Sequence, residues 1–337
     1  MNWLLSAVAL AVFGGVLVGY DRWKRRAVMR RYPAEGQRVD ANGVALHVLV
    51  RGEGRPVVLL HGNYGDASDF SGRLRERVSR DFRSVIIDRP GYGHSERPPA
   101  GLSLRAQAEM VRAAVRQVGV DHPMLVAHSW SGFLALEYAL DHGDELAGLV
   151  LVNPLCYADE TARRTDPHGH PLQRAADTLT PVVQPLVGYR VYRATMRSRF
   201  APEPVPDTEA TDPLLAFRRQ RPAQREARDE DFEASYASAS ELAGRYASLA
   251  LPLVIVVGDG DRVAVPARQG YRLHNQVHSS RLIVLPAAGH MVHITRPDAV
   301  MDAIHAAWDM AEARESDTAR PTPPKLDGIS GEFIAKG

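Results

Sequence analysis

Short runs of Val, Ile, Leu and Ala recur along the chain, separated by longer stretches in which apolar residues return every three to four positions. The runs at 44–50, 56–60, 84–87, 124–127, 149–152, 253–257 and 282–285 predict strands. Helical spacing predicts helices over 70–78, 104–118, 132–140 and 299–313. Strands that are apolar almost throughout, rather than at every second residue, are covered on both faces. Alternating with helices, they predict an α/β fold, a mostly parallel sheet with helices on both sides. The rhythm breaks between about 156 and 250, a stretch rich in Arg, Ala, Glu and Pro with little strand pattern. That segment predicts a helical insertion over the sheet's C-terminal edge. From about residue 315 the chain turns to Pro, Thr, Asp and Gly, and disorder is expected there.

The amino terminus follows neither rhythm. No charged residue occurs from 3 to 20. As a helix that run spans about 27 Å, close to a hydrocarbon core of about 30 Å. Trp3 and Tyr20 stand at its ends, where amphipathic rings favour the membrane interface. The positive charges Arg22, Lys24, Arg25, Arg26, Arg30 and Arg31 follow the run. A cleaved signal peptide, the alternative, carries them ahead of it. A retained anchor is therefore expected, with the basic flank and the main domain on the cytoplasmic side. The expected organisation is an anchor over 1–21, a basic linker over 22–35, an α/β core over 36–155 and 246–314, a cap over 156–245 and a tail over 315–337.

Composition narrows the function. The 337 residues carry 41 Lys and Arg against 40 Asp and Glu, a formal net charge of +1. A nucleic-acid binder would show a basic excess. The single cysteine, Cys156, rules out a disulfide framework and a cysteine-based metal site. No metal or organic cofactor is implied.

In open α/β sheets, ligands bind beyond the carboxyl ends of the strands. The strand at 124–127 leads into His128, Ser129, Trp130, Ser131 and Gly132. A serine between a buried strand and a helix, with small residues two positions to either side, fits a nucleophile elbow. Here those neighbours are Ala127 and Ser131 rather than two glycines. The same placement would also suit a helix N-cap. A serine nucleophile needs a base. Of the 13 histidines, His290 follows the strand at 282–285. His293 falls in or near the next helix, and His94 and His128 are expected to be structural. The imidazole in turn needs a carboxylate. Asp261, a full turn beyond the strand at 253–257, is preferred. Asp259 and then Asp159 are the alternatives. Oxyanion donors are expected from the backbone N–H of Trp130 and, after the strand at 56–60, of Asn63, with Gly62 letting the chain turn.

These motifs together resemble the α/β-hydrolase superfamily. The resemblance covers residues 36–313. It rests on His61-Gly62, on the turn from Asp88 to Ser95 (D-R-P-G-Y-G-H-S), on the Ser129 elbow, on Gly258 to Asp261, and on Gly289-His290. It is similar above all to capped, serine-nucleophile bacterial hydrolases. It implies acyl-ester hydrolysis through an acyl-enzyme with Ser129, Asp261 and His290. Epoxide hydrolases and haloalkane dehalogenases of the superfamily carry Asp where this chain has Ser129, so neither activity is expected.

The leading expectation is hydrolysis of a hydrophobic carboxylic ester, lipid-like if the anchor brings the enzyme to its substrate. C–C bond hydrolysis or acyl transfer by the same residues, or a non-catalytic binder on this fold, are the alternatives. The expected partners are a small ester and membrane lipid around the amino-terminal helix. In the cap, Tyr189, Tyr192, Met196 and Phe200 form one stripe and Arg190, Arg193 and Arg197 a second. That predicts a helix with a packed apolar face and a basic outer face, which beside a membrane would meet anionic headgroups.

Overall fold

The computed structural model describes residues 2–99, 101–158, 190, 192–208, 211–212 and 214–319. Eight strands form one sheet: β1 (Gln37–Ala41), β2 (Val44–Arg51), β3 (Pro56–Leu60), β4 (Arg83–Ile87), β5 (Met124–His128), β6 (Gly148–Val152), β7 (Leu253–Gly258) and β8 (Arg281–Leu285). Their order is β1-β2-β4-β3-β5-β6-β7-β8. β2 pairs antiparallel with β1 and β4, and all later pairings are parallel.

The helices are α1 (Asn2–Arg31), α2 (Arg73–Asp81), α3 (Leu104–Gln117), α4 (Ser131–His142), α5 (Leu215–Arg219), α6 (Pro222–Arg245), α7 (Gly270–Gln276), α8 (Val292–Thr295) and α9 (Pro297–Ala319). Side chains alternate across the central strands. Val58, Leu60, Leu125 and Ala127 pack with α3 and α4 on one face. Val57, Leu59, Met124 and Val126 pack with α2 and α9 on the other. Both sets being apolar explains why these strands read as unbroken hydrophobic runs.

Three sequence expectations need correction. The helix expected over 70–78 begins only at Arg73, because Phe70 closes a 3₁₀ turn (Ala67–Phe70) and Gly72 takes φ +67° between the two. The separate linker over 22–35 does not exist as such: α1 runs unbroken from Asn2 to Arg31. The stretch after residue 21 has no helix breaker, and Arg25 pairs with Asp21 one turn back at 2.6 Å. Pro33 follows the last turn and disfavours helical backbone before it. Third, α9 reaches Ala319, so the first residues of the expected tail are helical; residues 320–337 lie outside the described residues.

Residues 3–31 form the one helix, among the described residues, long and apolar enough to cross a membrane. Its first half exposes Trp3, Leu5, Leu10 and Phe13. Further on, Leu17 and Val28 are buried, eleven residues apart on one face, and the helix packs against α5.

In the cap region the described residues form helices and no strand. Residues 192–200 are helical, with Tyr192, Met196 and Phe200 buried and Arg190, Arg193 and Arg197 exposed. Tyr189 lies outside the described residues.

Candidate active site

β5 delivers Ser129 at its carboxyl end with φ +58°. For a residue with a side chain this backbone costs about 1–3 kcal/mol, and such strain clusters at functional sites. The turn is closed by Gly132 N–H donating to the Ser129 carbonyl at 2.9 Å. Gly132 must be bare, since a Cβ there would meet the Leu155 carbonyl at 2.7 Å. The N-cap reading of Ser129 does not hold, because its hydroxyl bonds His290 Nε2 at 2.9 Å instead. Ser131, the departure from a glycine-flanked elbow, is buried and donates its hydroxyl to the His61 carbonyl at 2.5 Å. It ties the elbow to the loop after β3.

His290 Nδ1 lies 2.7 Å from Asp261 Oδ2. The other oxygen, Oδ1, accepts from the backbone N–H of Val263 and Ala264 at 2.7 and 3.0 Å. Asp261, Ser129 and His290 are all buried. Asp259 turns away and accepts from Ala287 N–H at 2.6 Å. Asp159 lies outside the described residues. The structure thus brings together Ser129, His290 and Asp261 from the ends of three strands.

The loop after β3 passes directly over the elbow. A Cβ on Gly62 would sit 2.9 Å from Ser129 Cβ. The chain turns here as expected, with Gly65 N–H donating to the Gly62 carbonyl at 3.2 Å, and the bare Gly62 also permits this close approach to the elbow. Among the described residues no acceptor takes the backbone N–H of Asn63 or of Trp130, the two expected oxyanion donors.

Several buried groups that the sequence did not reveal hold this geometry. Asn153, at φ +43° after β6, donates to the Gly289 and His290 carbonyls at 2.9 Å each and accepts from Gly258 N–H at 2.7 Å. It thereby docks the β7 and β8 loops against each other. His128 donates Nε2–H to the His290 carbonyl at 3.0 Å. Its ring lies 4.1 Å from that of His293, whose nitrogens find no partner among the described residues. Burial pushes His293 down to about 3 and His61 to about 4, and holds His128 well below the usual histidine range. All three are neutral at neutral pH. His61 donates Nδ1–H to the Gly62 carbonyl and accepts from Arg89 N–H at Nε2.

Arg89 and Asp231, both with no exposed side-chain surface, link cap and core at 2.7 Å. Arg89 also donates to the His61 carbonyl at 3.1 Å and to Asn63 Oδ1 at 2.5 Å. Its guanidinium lies 4.3 Å from the rings of both Tyr92 and Trp130. Asp231 accepts further from Tyr92, Arg97 and Gln107 at 2.9 to 3.0 Å. One helix earlier, Arg218 and Arg219 of α5 engage Asp66 and Asp69 just beyond the Asn63 loop. Burial alone would raise Asp66, but the two guanidinium groups hold it well below the usual carboxylate range.

The sequence pattern of the α/β hydrolase fold family matches residues 55–297. This chain belongs to the α/β hydrolase family. An AB hydrolase superfamily protein of Bacillus subtilis (strain 168) is 32% identical over 111 residues, 33% of this chain and 41% of the relative. A soluble epoxide hydrolase of Corynebacterium sp. (strain C12) is 30% identical over 112 residues, 33% of this chain and 39% of the relative. The chain spans about two fifths of the length of these curated relatives. Among solved structures, a membrane phospholipase A described as a bacterial virulence factor aligns at TM-score 0.66 and 19% identity, over 92% of this chain and 97% of that one. At that identity the likeness speaks for the fold of this α/β hydrolase.

Proposed function

We propose that this α/β hydrolase is a serine hydrolase that cleaves a hydrophobic carboxylic ester through an acyl-enzyme. The observation that carries the reading is the chain of short contacts from Ser129 Oγ through His290 to Asp261, 2.9 and 2.7 Å long. In the proposed reaction, His290 Nε2 takes the hydroxyl proton as Ser129 Oγ attacks the carbonyl carbon. Asp261 holds Nδ1–H and stabilises the imidazolium. The developing oxyanion meets the N–H groups of Asn63 and Trp130, each such donor being worth about 10²–10³ in rate. His290 then returns its proton to the departing alkoxide. A water, deprotonated by the same imidazole, releases the acid.

One of the curated relatives is an epoxide hydrolase, but the aspartate nucleophile of that chemistry is replaced here by Ser129, which supports an acyl-enzyme route instead. We further infer that α1 anchors the protein, places the main domain on the cytoplasmic side and favours lipid-like esters.

A fluorophosphonate probe is expected to label the full-length protein and to leave Ser129→Ala unlabelled. On p-nitrophenyl esters, that variant should lose about 10⁴-fold or more in kcat. Folded wild type that resists the probe and hydrolyses no ester of the panel would leave a binding protein on a hydrolase fold.

A further inference from the structure

Arg199, in the cap, takes part in no ion pair among the described residues; Arg221, which shares this, spends its guanidinium on the Gly91 and Gly93 carbonyls. Arg199 lies in the last turn of the helical segment 192–200, and its carbonyl accepts the backbone N–H of His290 at 2.8 Å. The residue therefore stands beside the proposed base. Its guanidinium lies 3.7 Å from the centre of the Tyr64 ring, and Tyr64 follows Asn63 directly. On the same ring, at 4.8 Å, lies the guanidinium of Arg228, which pairs with Asp229 at 3.1 Å.

Asp69 acts on Arg199 through space without forming an ion pair with it. Asp66 and Asp69 are engaged by Arg218 and Arg219. Glu203 is taken by Arg296 and Thr295. No carboxylate among the described residues forms an ion pair with Arg199. The side chain is only partly exposed, and burial pulls its pKa down from the usual arginine value. A desolvated guanidinium that has no ion-pair partner among the described residues is costly to bury, and a negative charge that comes and goes with the substrate would offset that cost. Its planar fork suits a carboxylate or a phosphate.

We propose that Arg199, stacked on Tyr64, forms an anion subsite beside the Ser129 elbow, so that the preferred esters carry a carboxylate or phosphate near the scissile bond. This deepens the serine-hydrolase reading and rests on it. The group would sit over the cap side of the Asn63 loop, with Arg228 adding to the positive field.

The test compares matched ester pairs on the full-length protein. One pair carries the charge on the acyl side: mono-4-nitrophenyl adipate against 4-nitrophenyl heptanoate. A second carries it on the alcohol side: 4-carboxyphenyl against 4-carbamoylphenyl hexanoate. In at least one pair, kcat/KM should favour the anionic ester, and Arg199→Gln should reduce that ratio by about 10- to 100-fold. Arg199→Lys should retain part of the preference, because it keeps the charge but not the fork. In wild type the ratio should narrow as salt is raised, a measurement that does not depend on any variant folding. The pair that responds identifies the side of the ester that bears the charge.

If neither pair shows a preference sensitive to Arg199 or to salt while the probe still labels Ser129, the anion subsite is wrong and the serine-hydrolase reading stands. If Ser129 takes no label and no ester is cleaved, both fall together.

Discussion

Ser129 occupies a backbone conformation that a merely packed serine would avoid, and its neighbours are chosen to allow it. Ala127 and Ser131 are small, Gly132 is bare against Leu155, and Gly62 is bare against Ser129 itself. Beside this elbow lie three histidines that burial keeps neutral. The free-energy consequence has a definite sign. For His293, the folded pKa of about 3 lies below the unfolded value of about 6.5. The unfolded chain therefore binds the extra proton between those values, and stability falls as pH drops below 6.5. His61 acts in the same direction, while His47 and Asp69 are raised and act oppositely. Comparison with a single variant isolates one group. His293→Phe, set between Phe70 and the His128 ring, should lose about 2 kcal/mol less than wild type between pH 6.5 and 5. Urea unfolding at the two pH values measures it. Equal losses in both proteins would show that His293 is not the group responsible.

At the scale of elements, the cap helix α6 matters as much as the strands. Asp231 supplies the counter-charge for Arg89, and Arg89 supports both His61 and Asn63 from below. Asp231→Ala leaves a buried guanidinium without its partner and should cost about 3–5 kcal/mol. It should also lower kcat more than it changes KM, since the Asn63 loop loses its support. Asp231→Asn, which keeps an acceptor, should do less on both counts. Urea unfolding and steady-state kinetics read the two effects separately. The strands from β2 to β7 were visible in the sequence because burial on two faces writes itself as an apolar run, and β8 was visible because its Leu-Ile-Val-Leu run is apolar although it lies at the sheet edge with no residue fully buried. β1 was not: Gln-Arg-Val-Asp-Ala is an edge strand with only Val39 and Ala41 buried, too short a pattern to stand out. The short helix α7 escaped for the same reason. At the site, Ser129, Asp261 and His290 were readable because each follows a strand end. Arg89 and Asp231 are 142 residues apart in the chain, and Asn153 carries no local motif, so only the folded chain shows what they support.

At the scale of the whole molecule, the apolar half of α1 exposes Trp3, Leu5 and Leu10, while the basic residues follow it. If that charge asymmetry orients the helix, a fluorescent protein fused at the carboxyl terminus should be bright in a bacterial host and alkaline phosphatase fused there should be inactive. Active phosphatase with a dark fluorescent fusion would reverse the proposed orientation. Where the sequence suggested a basic linker over 22–35, the helix continues to Arg31. Ten residues of pattern looked like a linker because charge resembles a solvated loop, yet Val28 among them is completely buried.

That continuous helix has a mechanical consequence. From Leu17 to Val28 one side of the rod is covered by protein over about 16 Å, a contact that opposes swinging of the body on its stalk. Set in a bilayer, it would keep a constant height and tilt, free to drift sideways and to spin about the normal. Turnover of a lipid ester would then follow the number of substrate molecules per unit of surface, and diluting the vesicles at fixed surface composition would leave it unchanged.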